Sequence, residues 1–194
     1  MIGLRVYAAI DNRHLDHAKS LDAFIKLGIP CYGNEDVCNA HEGCELIPKL
    51  LHIGGFKIQT FDVPHNVQNN AFVIDTTDKI RILYVTDAKD VPYIVKNVDY
   101  AIVECNYSEE DVVDEFINGI EIKSRYYNHL SLEKCISYLK RIFNKNMKGI
   151  ILWHPSLSNI NVNAAKKRVI EELGFNDVFV AQKGMTINIV KEEF

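Results

Sequence analysis

The chain has 194 residues, of which 47% are hydrophobic and 25% are charged. It contains no repeat, low-complexity tract or linker-like stretch, so we predict a single domain over residues 1–194. The formal net charge of -4 gives no broad basic face, which argues against non-specific binding to nucleic acid or to a membrane surface.

The sequence contains neither a membrane-spanning segment nor a secretory signal, and its cysteines form no recognisable disulfide or metal-binding pattern. Every apolar run is shorter than the roughly 20 residues that span a bilayer, and the N-terminus lacks a secretory cleavage pattern. We therefore expect a cytoplasmic protein that does not enter membranes.

The number of cysteines is odd and no C-x-x-C occurs, so we expect buried free thiols at these positions: Cys31, Cys38, Cys44, Cys105 and Cys135.

Short apolar runs and apolar residues at helical spacing alternate along the first part of the chain. In order, they predict a strand at 5–10, a helix at 16–27 ending at Gly28, a strand at 29–32, a brief helix capped by Asn34, a helical turn at 45–51 and a strand at 56–63.

The second part begins with a hairpin at 70–88, in which the runs AFVI and IRILYV flank the turn-forming DTTDK. The elements predicted after it are a helical turn at 91–98, a strand at 101–104, helices at 109–118 and 131–143, a strand at 149–153, a helix at 163–173 ending at Gly174, and a hairpin of 178–181 with 186–190. Interleaved strands and helices with hairpins predict a layered α/β fold with a mixed or antiparallel β core.

Four of the predicted strands are followed at once by histidine or aspartate. The segments are DNRHLDH at 11–17, Pro64-His65, Thr86-Asp87 and His154-Pro155. Strand ends are where α/β folds place binding and catalytic groups, so we expect these segments to meet. The pattern His-x-Asp-His at 14–17 concentrates two imidazoles and a carboxylate, which suits zinc, or manganese or iron with a bridging carboxylate.

Each of these residues also has an ordinary structural interpretation. Asp16 can cap a helix beside two surface histidines, and Asp87 can occupy a turn. His65 can be a hydrogen-bonded loop residue, and His154 a buried structural one. Two further histidines are interpreted as ordinary surface or core residues: His41 and His52.

In the order of its motifs, the sequence resembles the metallo-β-lactamase superfamily, in particular its ribonuclease Z-like branch and single-domain hydrolases. The first motif of that family, Thr-His-x-His-x-Asp-His, is similar to the stretch at 11–17. Further similar segments are LGIPCY at 27–32, FDVPHNV at 61–67, YVTDA at 84–88, VECNY at 103–107, NHLS at 128–131 and ILWHPS at 151–156.

The resemblance covers roughly residues 5 to 190 and implies an αββα sandwich of mixed β-sheets flanked by helices. It also implies one or two metal ions held by six residues, with Asp87 bridging: His14, Asp16, His17, His65, Asp87 and His154. His129 would steady a reacting oxygen, and Asp16 would orient the attacking water. Glu104 would hold a histidine tautomer, or else pair with a lysine or arginine.

Two departures from the family pattern affect this interpretation. Asn12 stands where the family has its first histidine, and a neutral amide oxygen is a much weaker zinc ligand than imidazole. Only eleven residues precede Asn12, so we expect the N-terminal strands of the family to be missing, and a homodimer is one way to complete the sheet.

The resemblance therefore implies a hydrolase, most specifically a phosphodiesterase acting on a small nucleotide or a nucleic acid through a metal-bound hydroxide. Thioesters, lactones and lactams are chemically open to the same attack. The alternative is a catalytically impaired protein that keeps the fold for binding or regulation.

Overall fold

The structure is a computed structural model and describes residues 6–110 and 128–189. Its strands are β1 (Ala8–Ala9), β2 (Cys31–Gly33), β3 (Glu45–Leu46), β4 (Leu50–Ile53), β5 (Phe56–Asp62), β6 (Asn70–Asp75), β7 (Arg81–Val85), β8 (Tyr100–Glu104), β9 (Gly149–Trp153) and β10 (Val178–Val180). Its helices are α1 (Leu15–Ala18), α2 (Leu21–Lys26), α3 (Glu35–Ala40), α4 (Leu132–Ile142) and α5 (Val162–Leu173).

The strands form two sheets. The smaller sheet has the order β1-β2-β3 and is parallel, and the larger has the order β10-β9-β8-β7-β6-β5-β4. Adjacent strands from β4 to β7 pair antiparallel, whereas adjacent strands from β7 to β8, β9 and β10 pair in parallel. The predicted layered α/β fold with a mixed sheet is confirmed.

The main core lies between one face of the larger sheet and helices α4 and α5. Alternate residues of β7, β8 and β9 point to this face and are buried, as are the apolar positions of α4 at helical spacing. Each fully buried Leu, Ile or Val contributes about 1.5 to 3 kcal/mol, so this core holds β7, β8 and β9 in fixed register. The carboxyl ends of these three parallel strands consequently meet at one edge of the sheet.

Several predicted helix ends are confirmed by their capping bonds. The side chain of Asn34 accepts a hydrogen bond from the backbone amide of Val37 at the start of α3. Ser131 accepts one from the amide of Lys134 at the start of α4, and Gly174 ends α5 in the left-handed region at φ 63°.

The predicted helical turn at 45–51 is wrong, because these residues belong to β3 and β4. Along β4 the half-buried residues alternate with exposed ones, a period of two that suits pairing with β5. The predicted turn at 91–98 is also wrong, since this segment has no helix and is held by buried Val91 and Val98 at its two ends.

Two other elements differ from the prediction. The helix at 16–27 is divided into α1 and α2 by a turn at Lys19 and Ser20. The closing hairpin does not form, because β10 pairs in parallel with β9 and residues 186–189 contain no strand. The predicted helix at 109–118 lies almost wholly outside the described residues.

The cysteines are free, and three of them, Cys31, Cys105 and Cys135, are buried, as expected from their number and spacing. Cys38 and Cys44 are only half-buried. Within the described ranges, no helix has both the length and the apolar character needed to cross a membrane.

Candidate metal centre

The chemistry-bearing residues of the larger sheet lie at the edge where β7, β8 and β9 end. Asp87 follows β7, Glu104 is the last residue of β8, and His154 directly follows β9. Asp87 and His154 both have positive φ, 50° and 53° respectively, which non-glycine residues adopt at a cost of order 1 to 3 kcal/mol. Local strain of this kind is typical of functional sites.

The loop after β1 brings the second group of residues to the same edge. The backbone amide of Asn70 and the side-chain amide of Asn34 both donate to the carbonyl oxygen of Asp11, at 3.1 and 2.8 Å. These bonds fasten the loop to β6 and α3. The single turn of α1 that follows presents Asp16 and His17 to the larger sheet.

One candidate metal position is formed by Asp16, His17 and His154, with Asp87 beside it. The Asp16 Oδ2 atom lies 3.5 Å from His17 Nε2 and 3.6 Å from His154 Nε2, and His17 Nε2 lies 3.1 Å from Asp87 Oδ2. A tetrahedral zinc ion with bonds of 2.0 to 2.1 Å has ligand-to-ligand distances of about 3.4 Å. The donor atoms therefore match both the chemistry and the spacing of a metal site.

The second candidate position consists of His14, His65 and Asp87. His65 Nε2 lies 3.4 Å from His14 Nδ1, and Asp87 Oδ2 lies 3.8 Å from His14 Nδ1 and 3.7 Å from His65 Nε2. The point equidistant from these three atoms is about 2.1 Å from each, a zinc-to-nitrogen bond length. Asp87 Oδ2 lies beside both candidate positions, so it could contribute to either.

Asn12 presents a hydrogen-bond donor, not a ligand atom, to this cluster. Its fully buried side chain donates from Nδ2 to Asp87 Oδ2 at 2.9 Å and to Asn69 Oδ1 at 3.4 Å. Its Oδ1 atom accepts from the backbone amide of His14 at 2.9 Å. The side chain would have to rotate and lose these bonds before its oxygen could ligate.

The carboxylate residue Asp87 is almost fully buried in the centre, at 1% exposure. Its Oδ1 atom is buried and has no hydrogen-bond partner among the described residues. Burial raises the pKa of Asp87, but the hydrogen bond from His17 and the charges of His17, His154 and His129 outweigh it and hold this pKa well below its ordinary value. An ionised, incompletely bonded carboxylate is suited to a bound cation.

Two ligand histidines are oriented through their second ring nitrogen. His17 Nδ1 lies 2.9 and 3.0 Å from the two carboxylate oxygens of Asp11, and His65 Nδ1 donates to the carbonyl oxygen of Asn128 at 2.8 Å. In each ring the Nε2 atom therefore remains available to face the candidate metal position. Burial alone would lower the pKa of His17, but its hydrogen bonds to Asp11 and Asp87 outweigh this effect and raise the pKa to about 10. For His65 the effect of burial dominates, so its pKa is lowered.

Glu104 holds two further histidines. Its Oε1 atom accepts from His129 Nδ1 at 2.7 Å and lies 3.2 Å from His154 Nδ1, while Oε2 accepts from the backbone amides of Ala88 and Leu130. The bond to Glu104 is the main cause of the raised pKa of His154. Both oxygens are bonded, which agrees with the predicted role of Glu104 in holding a histidine tautomer; no lysine or arginine pairs with it within the described ranges.

All the residues that the sequence singled out lie in one cluster, and their roles remain predictions: Asn12, His14, Asp16, His17, His65, Asp87, Glu104, His129 and His154. His41 instead pairs with Asp22 at 2.7 Å, away from the cluster, and His52 lies on β4.

Sequence reasoning missed three residues that act on the ligands. Asp11 orients His17, Asn69 bonds to the backbone at Asp87, and Asn106 donates to the carbonyl oxygen of His154 at 2.9 Å. Asp11 and Asn106 lie inside the motif segments at 11–17 and 103–107, so their place in these segments could have identified them as candidates. Asn69 follows no pattern in the sequence.

Comparison with known proteins places the fold. No protein-family model and no curated protein sequence matches the chain. Among solved structures, the metallo-β-lactamase fold protein YhfI from Bacillus subtilis is 18% identical with a TM-score of 0.69, covering 93% of this chain and 77% of that one. A diphosphatase of the PhnP family is 14% identical with a TM-score of 0.67, covering 93% and 70%.

The short form of human tRNase Z is 15% identical with a TM-score of 0.59, covering 94% of this chain and 78% of that one. Similarity at these identities extends to the fold. The protein therefore has the metallo-β-lactamase fold, and the αββα architecture expected from the motifs is confirmed.

Proposed function

We propose that this protein is a metal-dependent hydrolase of phosphodiesters. The observation that carries the proposal is the position of Asp87 Oδ2, which lies between 3.1 and 3.8 Å from ligand nitrogens of His17, His65 and His14. One buried carboxylate oxygen is thus shared by two sets of ligands. The similarity to a diphosphatase and to a tRNase Z supports phosphoryl chemistry.

The ion that best suits these donors is zinc, with manganese or iron as the alternatives, because the ligands are imidazoles and carboxylates without thiolate. When bound, it supplies a water of lowered pKa and a Lewis acid for the oxygen under attack. We expect the position of Asp16, His17 and His154 to be the tighter one, since the other position has Asn12 in place of a ligand.

The protein's own residues would do the remaining work. The Asp16 carboxylate is 65% exposed, so a water can reach it and be oriented for attack. His129 uses Nδ1 for its bond to Glu104, which leaves Nε2 to bind an equatorial or leaving oxygen of the substrate.

The substrate is a small nucleotide or a nucleic acid, and the two differ in what they require of the surface. Binding of a long nucleic acid needs many basic contacts, and the net charge of -4 does not supply them broadly. We therefore place a small cyclic nucleotide first. A homodimer stays a separate proposal, which native mass measurement tests.

The second candidate function is binding or regulation by a catalytically impaired protein. Asn12 favours it, because its amide donates to Asp87 where a ligand is expected. Turnover by the metal-loaded protein separates the candidates: bound metal with turnover supports hydrolysis, and metal-free protein or metal without turnover supports binding.

The test uses purified protein that has been freed of metal by a chelator and reloaded with zinc or manganese. Hydrolysis of bis-p-nitrophenyl phosphate, of cyclic nucleotides and of single-stranded RNA is measured for the wild type, His154→Ala and His52→Ala. We expect metal-dependent turnover that His154→Ala lowers at least 100-fold and His52→Ala leaves unchanged. Absence of turnover by the loaded wild type on every substrate would refute the catalytic proposal.

A further inference from the structure

Asp87 has an unfavourable conformation that something must maintain. Its φ of 50° lies in the left-handed region, its side chain is buried, and Oδ1 has no hydrogen-bond partner among the described residues. A buried carboxylate with a strained backbone relaxes unless its surroundings hold it. In the absence of a metal ion, this support must come from neighbouring residues.

Asn69 holds the backbone. Its side chain is 1% exposed, and Nδ2 donates to the carbonyl oxygens of Thr86 and Asp87 at 2.8 and 2.7 Å. These two carbonyls lie on either side of the strained φ, so both bonds depend on the conformation of Asp87. The backbone amide of Val63 donates to the carbonyl of Asn69, which ties Asn69 to the larger sheet.

Asn12 holds the carboxylate. Its Nδ2 donates to Asp87 Oδ2 at 2.9 Å, the oxygen that both candidate metal positions share. The orientation of this amide is determined by its other bonds, because Oδ1 accepts from the amide of His14 and Nδ2 also contacts Asn69 Oδ1. The two asparagines are therefore linked, and each holds a different part of Asp87.

We propose that Asn12 and Asn69 form a clamp that keeps Asp87 in its ligating conformation in the absence of metal. Asn69 and Asn12 are then both positioning residues, one for the backbone of Asp87 and the other for its carboxylate. The inference rests on the proposed metal-binding function. Hydrogen-bond partners of ligands typically change metal affinity by 10- to 100-fold, so the clamp has a measurable consequence.

The test is a titration of the metal-free protein with Co²⁺, followed by its visible absorption, for the wild type, Asn69→Ala and Asn12→Ala. The matched control is Asn144→Ala, since Asn144 also donates from its side chain to a backbone carbonyl, that of Val98, outside the site. All titrations are made at a temperature where circular dichroism shows the variants folded. Amide hydrogen exchange of residues 86–88 without metal is the second readout.

We expect Asn69→Ala and Asn12→Ala to raise the Kd for Co²⁺ by 10- to 100-fold, and Asn144→Ala to change it less than twofold. Exchange at 86–88 should accelerate in Asn69→Ala before any metal is added. If Asn69→Ala does not fold, Asn12→Ala, which keeps both backbone bonds, decides the matter. Unchanged affinity in a folded clamp variant overturns the clamp, whereas a wild type that binds no Co²⁺ overturns the proposed function instead.

Discussion

The Nε2 atom of His17 lies 3.1 Å from the Oδ2 atom of Asp87, although α1 follows a strand of the smaller sheet and Asp87 follows a strand of the larger one. This contact joins the two sheets at the candidate centre. Without metal it is an ion pair, because the pKa of His17 is raised to about 10 and that of Asp87 is lowered. If both atoms ligate a metal ion, as we propose, the imidazole would have to give up its proton.

Asp87→Asn should abolish the stabilisation that metal gives. A ligand that binds only the folded protein at 100 times its Kd adds about 2.7 kcal/mol, so zinc should raise the Tm of the wild type by several degrees. The amide of the variant is a poor ligand, so its Tm should not respond. Differential scanning fluorimetry with and without zinc measures this, and the exposed Asp78→Asn should respond like the wild type.

Asn12→His should raise the number of ions that the protein holds. The wild type offers two histidines and a shared carboxylate at the position of His14 and His65, and a third imidazole would complete it. We expect elemental analysis after zinc loading to change from about one ion per chain to about two. A count that stays the same would show that Asn12 is not what limits the second position.

Glu104→Gln should lower both activity and stability. The substituted amide places an NH₂ group either against His129 Nδ1, which bonds to the carboxylate in the wild type, or against the donating amides of Ala88 and Leu130. Leaving buried donors without an acceptor costs about 1 to 3 kcal/mol each, which urea unfolding should detect. Glu172 forms an ion pair with Lys140 at the surface, so we expect Glu172→Gln to leave the urea midpoint of unfolding nearly unchanged.

Acid should destabilise the hairpin of β6 and β7 through Asp75. Its carboxylate accepts two bonds from Arg81, at 2.7 and 3.0 Å, and the hydrogen bond to this guanidinium lowers the pKa of Asp75 below its ordinary 3.8. A lowered pKa in the folded state means that the stabilisation is complete above pH 3.8 and is lost as the pH falls below it.

The free energy of unfolding of the wild type, measured in urea from pH 6 down to pH 2, should therefore fall more steeply than that of Asp75→Asn. Asp78→Asn, which lies in the turn of the same hairpin, controls for the loss of a charge. Parallel curves for Asp75→Asn and the wild type would contradict the assignment.

Much of the fold and the site was predictable because it follows from local rules. Apolar runs of strand length predicted β5 to β9, and Asn34 and Gly174 marked helix ends through capping preferences. Histidine and aspartate after successive strands predicted a cluster, since parallel strands end at a common edge. The segment at 45–51 was misassigned because a short apolar run does not distinguish a strand from a helical turn.

The sequence by itself determined the type of each donor group, and their places at strand ends, since these depend on residue identity and local periodicity. Only the tertiary structure decided that Asn12 turns its amide nitrogen toward Asp87, and that Asn69 binds the backbone there. Those orientations come from hydrogen bonds between segments far apart in the chain. No local pattern encodes such bonds, because a buried polar group finds its partner only when the sheets have packed.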